Sequence, residues 1–240
     1  MAEYEFNNEL KEKMLKEKET NPFAVLSKLI YDGLYNEIIT GKLLLDDKII
    51  ESQIAKNLNV SRTPVKMALN KLVEDGILEK GKGKELRVKK IRYEECLWLY
   101  EARLSIESKA AYLAAKRIKK NELSTLHHII QDFKDIDKSY DYEKYIICDK
   151  LFHETIVNAS RNKYIIDMYK TLEFALQSYR YQTMQLVYED LFEKNGLERG
   201  SDYHNSIYRA LYNRMPLVAQ DEMIADISRM YGTMHMIKFL

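Results

Sequence analysis

The sequence predicts a mainly α-helical protein: an N-terminal winged helix-turn-helix (helices with a small β-hairpin wing), followed by an all-α helical bundle. Two short helices joined by a tight turn, with a β-hairpin after them, predict the first part. From residue 93 onward, every apolar pattern has the helical period. Only 8 glycines and 3 prolines occur among 240 residues. Turns are therefore few, and long helices are expected.

A change in composition near Arg92 marks the predicted domain boundary. We predict a charged tail over 1–22, a winged helix-turn-helix domain over 23–92 and a helical domain over 93–240. Hydrophobic residues make up 46% of the chain and charged residues 31%, a balance typical of globular proteins. The first twenty residues do not resemble a signal peptide, no apolar run is long enough to cross a bilayer, and two cysteines suit a reducing compartment. We therefore expect a cytoplasmic protein without a membrane partner.

The first domain is predicted to contain three helices and one hairpin. A helix begins after Pro22 and is stopped by Gly41, since a glycine often follows a helix C-terminus. Ser61 is expected to cap the third helix and Gly76 to end it. Helical or alternating spacing of apolar residues gives the other bounds: helices over 47–58 and 63–75, and strands over 77–80 and 85–88.

The second domain is predicted to contain six or seven helices. Their approximate bounds follow from the spacing of apolar residues and are 94–118, 121–138, 141–158, 162–188, a short one near 189–195, 201–214 and 217–238.

Positive charge is concentrated in the segment Ser61–Arg92. Ten Lys or Arg residues face four Asp or Glu residues there, although the whole chain carries a net charge of only +1. Such a block suits a phosphate-binding surface, because each neutralised phosphate releases counterions. Basicity alone would fit a solvated charged face equally well. The helix-turn-helix favours DNA, since its second helix fits the major groove.

Seven residues are candidate DNA contacts. At the start of the second helix of the motif, Arg62 can donate two hydrogen bonds to guanine, and Lys66 lies one turn further on the same face. A glycine lets the tip of the wing turn, while the lysines on either side of it reach phosphates. The complete set is Ser61, Arg62, Thr63, Lys66, Lys82, Gly83 and Lys84.

The segment 59–69, NVSRTPVKMAL, closely resembles the recognition-helix signature of the GntR superfamily of transcription regulators. The segments 38–43 (IITGKL) and 72–78 (LVEDGIL) match the same family at the expected spacing. Two positions depart from it. Lys66 stands where many relatives carry Arg, and Ser52 stands where some relatives place another DNA-contacting Arg.

The helical domain resembles that of the FadR-like subgroup, whose C-terminal ligand-binding (FCD) domain is a helical bundle. Short motifs at 101–107, 149–153 and 202–204 carry this match. With the first domain, the resemblance covers nearly everything after residue 22. It implies a homodimer that reads an inverted repeat in double-stranded operator DNA, and whose DNA binding is modulated by a small organic acid.

A divalent-metal site is predicted in the helical domain. Asp149 and His153 are four residues apart, so both project from one helix face as a usable chelating pair. The resemblance implies His204 as a third ligand and places a further His where this chain has Asp226. Two Asp and two His favour a harder, less zinc-selective site, with zinc, manganese and nickel as candidates. The alternative is a set of polar core residues satisfied by hydrogen bonds.

Arg103 resembles the inward-facing arginine that the family carries on the first helix of this domain. The resemblance implies that it binds a carboxylate of the effector. The alternative is an ion pair with Glu107, one helical turn away.

Two other functions compete with a regulator of this kind. One is a helical metalloenzyme whose Asp/His site activates water. The chain has no phosphate loop, nucleophile elbow or zinc-protease motif, and an enzyme would leave the first ninety residues unexplained. The other is a DNA-binding dimer without an effector, which differs only in whether a small molecule alters operator binding. We therefore predict a regulator and no enzyme activity.

Overall fold

The computed structural model describes residues 24–39, 42–81, 85–90, 92–139, 141–181 and 200–238. The chain divides into two compact units, Met1–Lys90 and Ile91–Leu240. The predicted tail over 1–22 lies outside the described residues.

The N-terminal unit is a winged helix-turn-helix, as predicted. Its three strands form an antiparallel sheet in the order β1-β3-β2, with Ile49 opposite Leu86 and Leu78 opposite Val88. Its elements are α1 (Ala24–Ile39), β1 (Lys48–Ile49), α2 (Glu51–Asn57), α3 (Arg62–Glu74), β2 (Leu78–Lys80) and β3 (Leu86–Val88).

Helix α3 buries one face and exposes the other. The buried face is an apolar stripe whose members are at most 2% exposed: Val65, Ala68, Leu69 and Leu72. Ser61 occupies the N-cap position, but its hydroxyl makes no capping hydrogen bond. Gly76 follows the helix with a φ of +72°, a conformation that glycine adopts without a side-chain clash. The expected role of Gly76 as the end of this helix is confirmed.

The predicted helix over 47–58 is wrong at its start, because Lys48 and Ile49 form strand β1 beside β3. The chain turns before them at Asp46, which has a φ of 74°. Ile49 and Ile50 are β-branched and favour extended backbone, and the helix begins only at Glu51.

The C-terminal unit is all helical within the described residues. The turn at Leu172 separates α7 from a helix that begins at residue 173 and is described to residue 181, which we call α8. The remaining helices are α4 (Tyr93–Arg117), α5 (Lys120–Ser139), α6 (Tyr142–Ala159), α7 (Lys163–Thr171), α9 (Gly200–Tyr212) and α10 (Pro216–Lys238). None of the described helices is long and apolar enough to cross a membrane.

The single helix predicted over 162–188 is therefore wrong. The Leu172 amide donates to the carbonyl of Tyr169 at 3.0 Å, which tightens the last turn of α7, and the carbonyl of Leu172 accepts from the Leu176 amide at 2.8 Å as α8 begins. The short helix predicted near 189–195 lies outside the described part of the chain.

Helix α4 is the centre of the C-terminal unit, since it packs against α6, α7, α9 and α10. Small side chains let these helices approach closely. Four alanines on α4 are 0% exposed: Ala110, Ala111, Ala114 and Ala115. Phe133 on α5 and Phe152 on α6 are also fully buried and fill the space beside them.

Replacing Leu72 by alanine should destabilise the N-terminal unit by about 2–5 kcal/mol, because it leaves a cavity in a packed core. Thermal unfolding followed by circular dichroism measures the change. Asn70→Ala, on the exposed face of the same helix, is the matched control and should change stability by less than about 0.5 kcal/mol. Equal effects of the two substitutions would contradict the assignment of the buried face.

Candidate metal centre and nucleic-acid interface

Five helices of the C-terminal unit bring charged and imidazole side chains together in its interior. We call these seven residues the buried charge cluster. Three of them, Glu107, His153 and His204, are 0% exposed, and three others are 5% exposed or less. The members are Arg103 and Glu107 on α4, Asp149 and His153 on α6, Arg180 on α8, His204 on α9 and Asp226 on α10.

Both imidazoles present their Nε2 atoms to the same two carboxylates. Nε2 of His153 lies 3.5 Å from Oδ1 of Asp149 and 3.4 Å from Oδ2 of Asp226. Nε2 of His204 lies 3.3 Å from Oδ1 of Asp149 and 4.0 Å from Oδ1 of Asp226. The structure thus brings together all four residues that the sequence proposed as metal ligands, which we call the four candidate ligands.

Glu107 links this set to Arg103. One carboxylate oxygen of Glu107 lies 2.6 Å from Nδ1 of His153, and the other accepts a hydrogen bond of 2.6 Å from Nε of Arg103. A histidine that ligates a metal through one nitrogen usually has its other nitrogen oriented by such a carboxylate. Glu107 therefore holds the His153 ring with Nε2 toward the other candidate ligands.

Arg180 joins the cluster from α8. Its Nε donates to Oδ2 of Asp149 at 2.5 Å, which leaves Oδ1 of Asp149 facing the two imidazoles. The guanidinium thereby fixes the orientation of this carboxylate.

The carboxylates of the cluster are ionised. Burial by itself raises the pKa of Glu107, but Arg103 and His153 more than offset burial and hold the pKa at about 2. Asp226 behaves in the same way, since His204 and His153 lower its pKa to about 2 against the effect of burial. His153 and Arg180 likewise keep the pKa of Asp149 well below its usual range. Metal binding requires the deprotonated form of each acid.

Aromatic rings hold His204 in place. The ring of Phe133 stacks on it at 4.2 Å between centroids, and Phe152 meets it edge-on at 4.7 Å. These apolar neighbours keep bulk water from the imidazole.

The donor atoms fit a divalent cation. One ligand atom each from Asp149, His153 and His204 lies within 4.8 Å of the others. Nε2 of His153 and Oδ1 of Asp226 are buried and have no hydrogen-bond partner among the described residues. Buried polar atoms nearly always have a bonding partner, and a bound metal ion would be that partner for both atoms.

Sequence reasoning found part of this cluster. Arg103 faces the interior and also forms the ion pair with Glu107 that was its alternative interpretation. The contact of Glu107 with His153 was missed, although helical spacing from Arg103 places Glu107 on the inward face. No sequence pattern pointed to Arg180 as a member of the cluster, because it lies 31 residues from Asp149 in the sequence.

A cavity of about 10 Å³ adjoins the cluster and is lined by Arg103, Arg180, Asp149, Asp226 and three neighbours, Tyr145, Ile146 and Tyr179. This is the space of about one water molecule. A larger cavity of about 260 Å³ lies between α6 and α7, and none of the four candidate ligands lines it.

The exposed face of α3 forms the candidate nucleic-acid interface of the N-terminal unit. Four of the predicted DNA contacts are exposed on it: Ser61, Arg62, Thr63 and Lys66. Met67, which is 50% exposed, and Asn70 lie on the same face and were missed by sequence reasoning. The predicted contacts of the wing, Lys82, Gly83 and Lys84, lie outside the described residues.

Two family models match the chain in the order of its two units. Residues 26–88 match the bacterial regulatory proteins of the gntR family, and residues 98–229 match the FCD domain. The chain is a GntR-family transcription regulator of the FadR-like type. The matched segments carry α3 and all seven residues of the buried charge cluster.

Curated relatives are transcription regulators. The uncharacterised HTH-type regulator YdhC of Bacillus subtilis is 26% identical over 136 residues, 56% of this chain and 61% of that protein. The gluconate operon transcriptional repressor of Bacillus licheniformis is 27% identical over 175 residues, 72% of this chain and 70% of that protein. The chain thus aligns with less than two thirds of the first of these regulators. The families and relatives together show that this GntR regulator is not an enzyme, which excludes the metalloenzyme alternative.

Solved structures show the same fold. The McbR/YncC protein of E. coli superposes with a TM-score of 0.70 at 19% identity, covering 89% of this chain and 97% of that one. A GntR-type regulator from Rhodococcus sp. RHA1 gives a TM-score of 0.68 at 17% identity, covering 86% and 97%.

Glu107→Ala should destabilise the metal-free protein by about 3–5 kcal/mol, because it leaves the buried charge of Arg103 without its partner. Replacing both residues, as Arg103→Met with Glu107→Leu, should cost less than Glu107→Ala alone. Denaturant unfolding in the presence of a chelator measures both variants. A double variant at least as unstable as the single one would contradict the mutual compensation of the two charges.

Proposed function

We propose that this regulator binds an inverted repeat in operator DNA as a homodimer, and that a small organic acid modulates this binding from a metal-containing site in the FCD domain. The observation that carries the proposal is the convergence of the four candidate ligands in the interior of the helical unit, with Arg103 beside them. We place the protein in the cytoplasm, where operator DNA is found.

The exposed face of α3 supports the DNA-binding part. Arg62 at the helix N-terminus suits guanine, whose O6 and N7 accept two hydrogen bonds from a guanidinium. Lys66 lies one turn further along and is exposed as well. A homodimer matches an inverted repeat, because the twofold symmetry of the protein then coincides with that of the site.

Asp149, His153, His204 and Asp226 would hold the cation. When bound, a divalent cation supplies Lewis-acid attraction for a carboxylate oxygen of the effector. Glu107 orients His153, and Arg180 orients Asp149, so both ligands are positioned before a metal arrives. Two carboxylates with two imidazoles suit manganese, nickel or zinc.

The charge balance of the interior favours an anionic effector. Burial lowers the pKa of His153, but Asp149 and Glu107 raise it well above its usual value, so a metal must displace the proton before Nε2 can ligate. With both imidazoles neutral in the loaded site, the three arginines and three ionised carboxylates of the cluster and its neighbour Arg229 on α10 cancel. A divalent cation adds two positive charges. Uncompensated buried charge is costly, so an acid stabilises the loaded site. One relative is named for the gluconate operon, and gluconate is a carboxylate.

Arg62→Ala should weaken binding to the selected operator by about 1–3 kcal/mol and leave binding to random DNA nearly unchanged, because a base contact is lost. Selection from random oligonucleotides followed by fluorescence anisotropy measures both affinities. Lys71→Ala is the matched control, since Lys71 is exposed at the other end of α3 and pairs with Asp75 at 2.8 Å. Equal losses on both DNAs would show that Arg62 touches only phosphate.

Protein purified without chelator should hold one divalent cation per subunit, and His153→Ala/His204→Ala should hold none. Elemental analysis after incubation with zinc, manganese or nickel measures the content. The control is His127→Ala/His128→Ala, which removes two exposed histidines of α5. Equal metal content in wild type and the first variant, or none in the wild type, would end the metal proposal.

A further inference from the structure

We propose that Met67 reads a thymine in each half-site of the operator by packing against the C5-methyl group of that base. This inference rests on the proposed function, in which the exposed face of α3 contacts operator DNA. It adds an apolar contact to the polar contacts of Arg62 and Lys66, and it makes Met67 a residue that determines sequence specificity.

Met67 lies near the middle of the outward face of α3. The buried apolar stripe occupies the opposite side of this helix. At about 100° per residue, the side chains of Thr63, Met67 and Asn70 leave the helix within about 30° of the direction opposite the centre of that stripe. All three residues are exposed, and Met67 is 50% exposed. DNA that docks on this face therefore meets Met67.

The charges along α3 favour DNA contact in its first turns. Arg62 and Lys66 place positive charge near the start of the helix, where it can meet the phosphates that flank the groove. Near the end of the helix, Nζ of Lys71 lies 2.8 Å from Oδ1 of Asp75 and 3.6 Å from Oε2 of the preceding glutamate. Two carboxylates there outweigh one ammonium and repel phosphates. Met67 directly follows Lys66 and so belongs to the part of the helix that suits DNA.

The side chain of Met67 suits one feature of the base edges in the major groove. Its thioether is apolar and flexible and offers no hydrogen-bond donor. Among the four bases, thymine alone presents a methyl group in this groove. Against another base, the side chain would cover polar atoms without bonding to them, which is unfavourable. An apolar side chain on this polar and basic face therefore selects thymine.

Exposure by itself does not distinguish Met67, because single apolar side chains are common on protein surfaces. Leu44, in the segment before β1, is 53% exposed and lies outside α3. It has similar apolar exposure without the position on the outward face of α3. Leu44 therefore serves as the matched control.

The spacing along α3 predicts where the thymine lies. Arg62 and Met67 are five residues apart in the sequence, which is about 7.5 Å along a helix axis. Successive base pairs are about 3.4 Å apart along DNA. The thymine should therefore lie within about three base pairs of the guanine that Arg62 contacts.

The test replaces each thymine of the selected operator in turn by deoxyuridine, which lacks only the C5-methyl group. Fluorescence anisotropy with the full-length protein as purified measures each affinity. One replacement near the guanine of a half-site should weaken binding about threefold to tenfold, the size expected when one buried methyl group is lost.

Met67→Ala should bind the unmodified operator about threefold to tenfold more weakly than wild type, and its affinity should no longer respond to that deoxyuridine. Met67→Leu keeps an apolar side chain and should keep most of the response. Leu44→Ala should keep all of it. Circular dichroism shows that each variant is folded, and exposed substitutions of this kind change stability little.

The outcomes separate this inference from the proposed function. If the wild type selects an operator in which no thymine responds, or if Met67→Ala responds to deoxyuridine as the wild type does, the methyl contact is wrong and operator binding still stands. If the wild type binds no selected sequence more tightly than random DNA, operator recognition is wrong and the role of Met67 falls with it.

Discussion

The C-terminal unit depends on one fully buried carboxylate, that of Glu107. A lone carboxylate in an apolar interior is strongly unfavourable, so it must be compensated by positive charge and hydrogen bonds. Arg103 compensates it from the same helix, and His153 approaches its second oxygen from α6 at 2.6 Å. The ion pair contributes less to stability than its short distances suggest, because desolvation opposes the attraction. Its main consequence is orientation, since it fixes the histidine around which the other candidate ligands lie.

The positions of α6, α8, α9 and α10 follow from this constraint. Each of these helices contributes a charged or imidazole side chain to the cluster, and none of those groups is satisfied by its own helix alone. A cation at their meeting point would bind three of these helices at once through Asp149, His153, His204 and Asp226. An acid bound there must enlarge a cavity of about 10 Å³, so its binding free energy acts directly on the packing between helices. That coupling is the physical basis we propose for effector sensing.

The sequence predicted the architecture well because its signals are local. Apolar spacing located α4, α5, α6, α9 and α10, and the resemblance of 59–69 to a recognition helix identified the DNA-reading motif. Prediction from the sequence failed in two segments, where the local apolar pattern did not determine the structure. Residues 48–49 pair with a distant strand, and a turn at Leu172 divides a continuous helical pattern. Asp149 and His153 were recognisable from their four-residue spacing. Arg180 was not, because only the folded bundle brings it to Asp149.

Anomalous diffraction from crystals of the protein as purified tests the central claim most directly. Data collected on either side of the absorption edges of manganese, nickel and zinc locate and identify a bound metal. The account predicts one anomalous peak per subunit, bonded to Asp149, His153, His204 and Asp226, with the carboxylate of Glu107 still beside Nδ1 of His153. A well-ordered cluster without a peak, or a peak bonded to other residues, would contradict it.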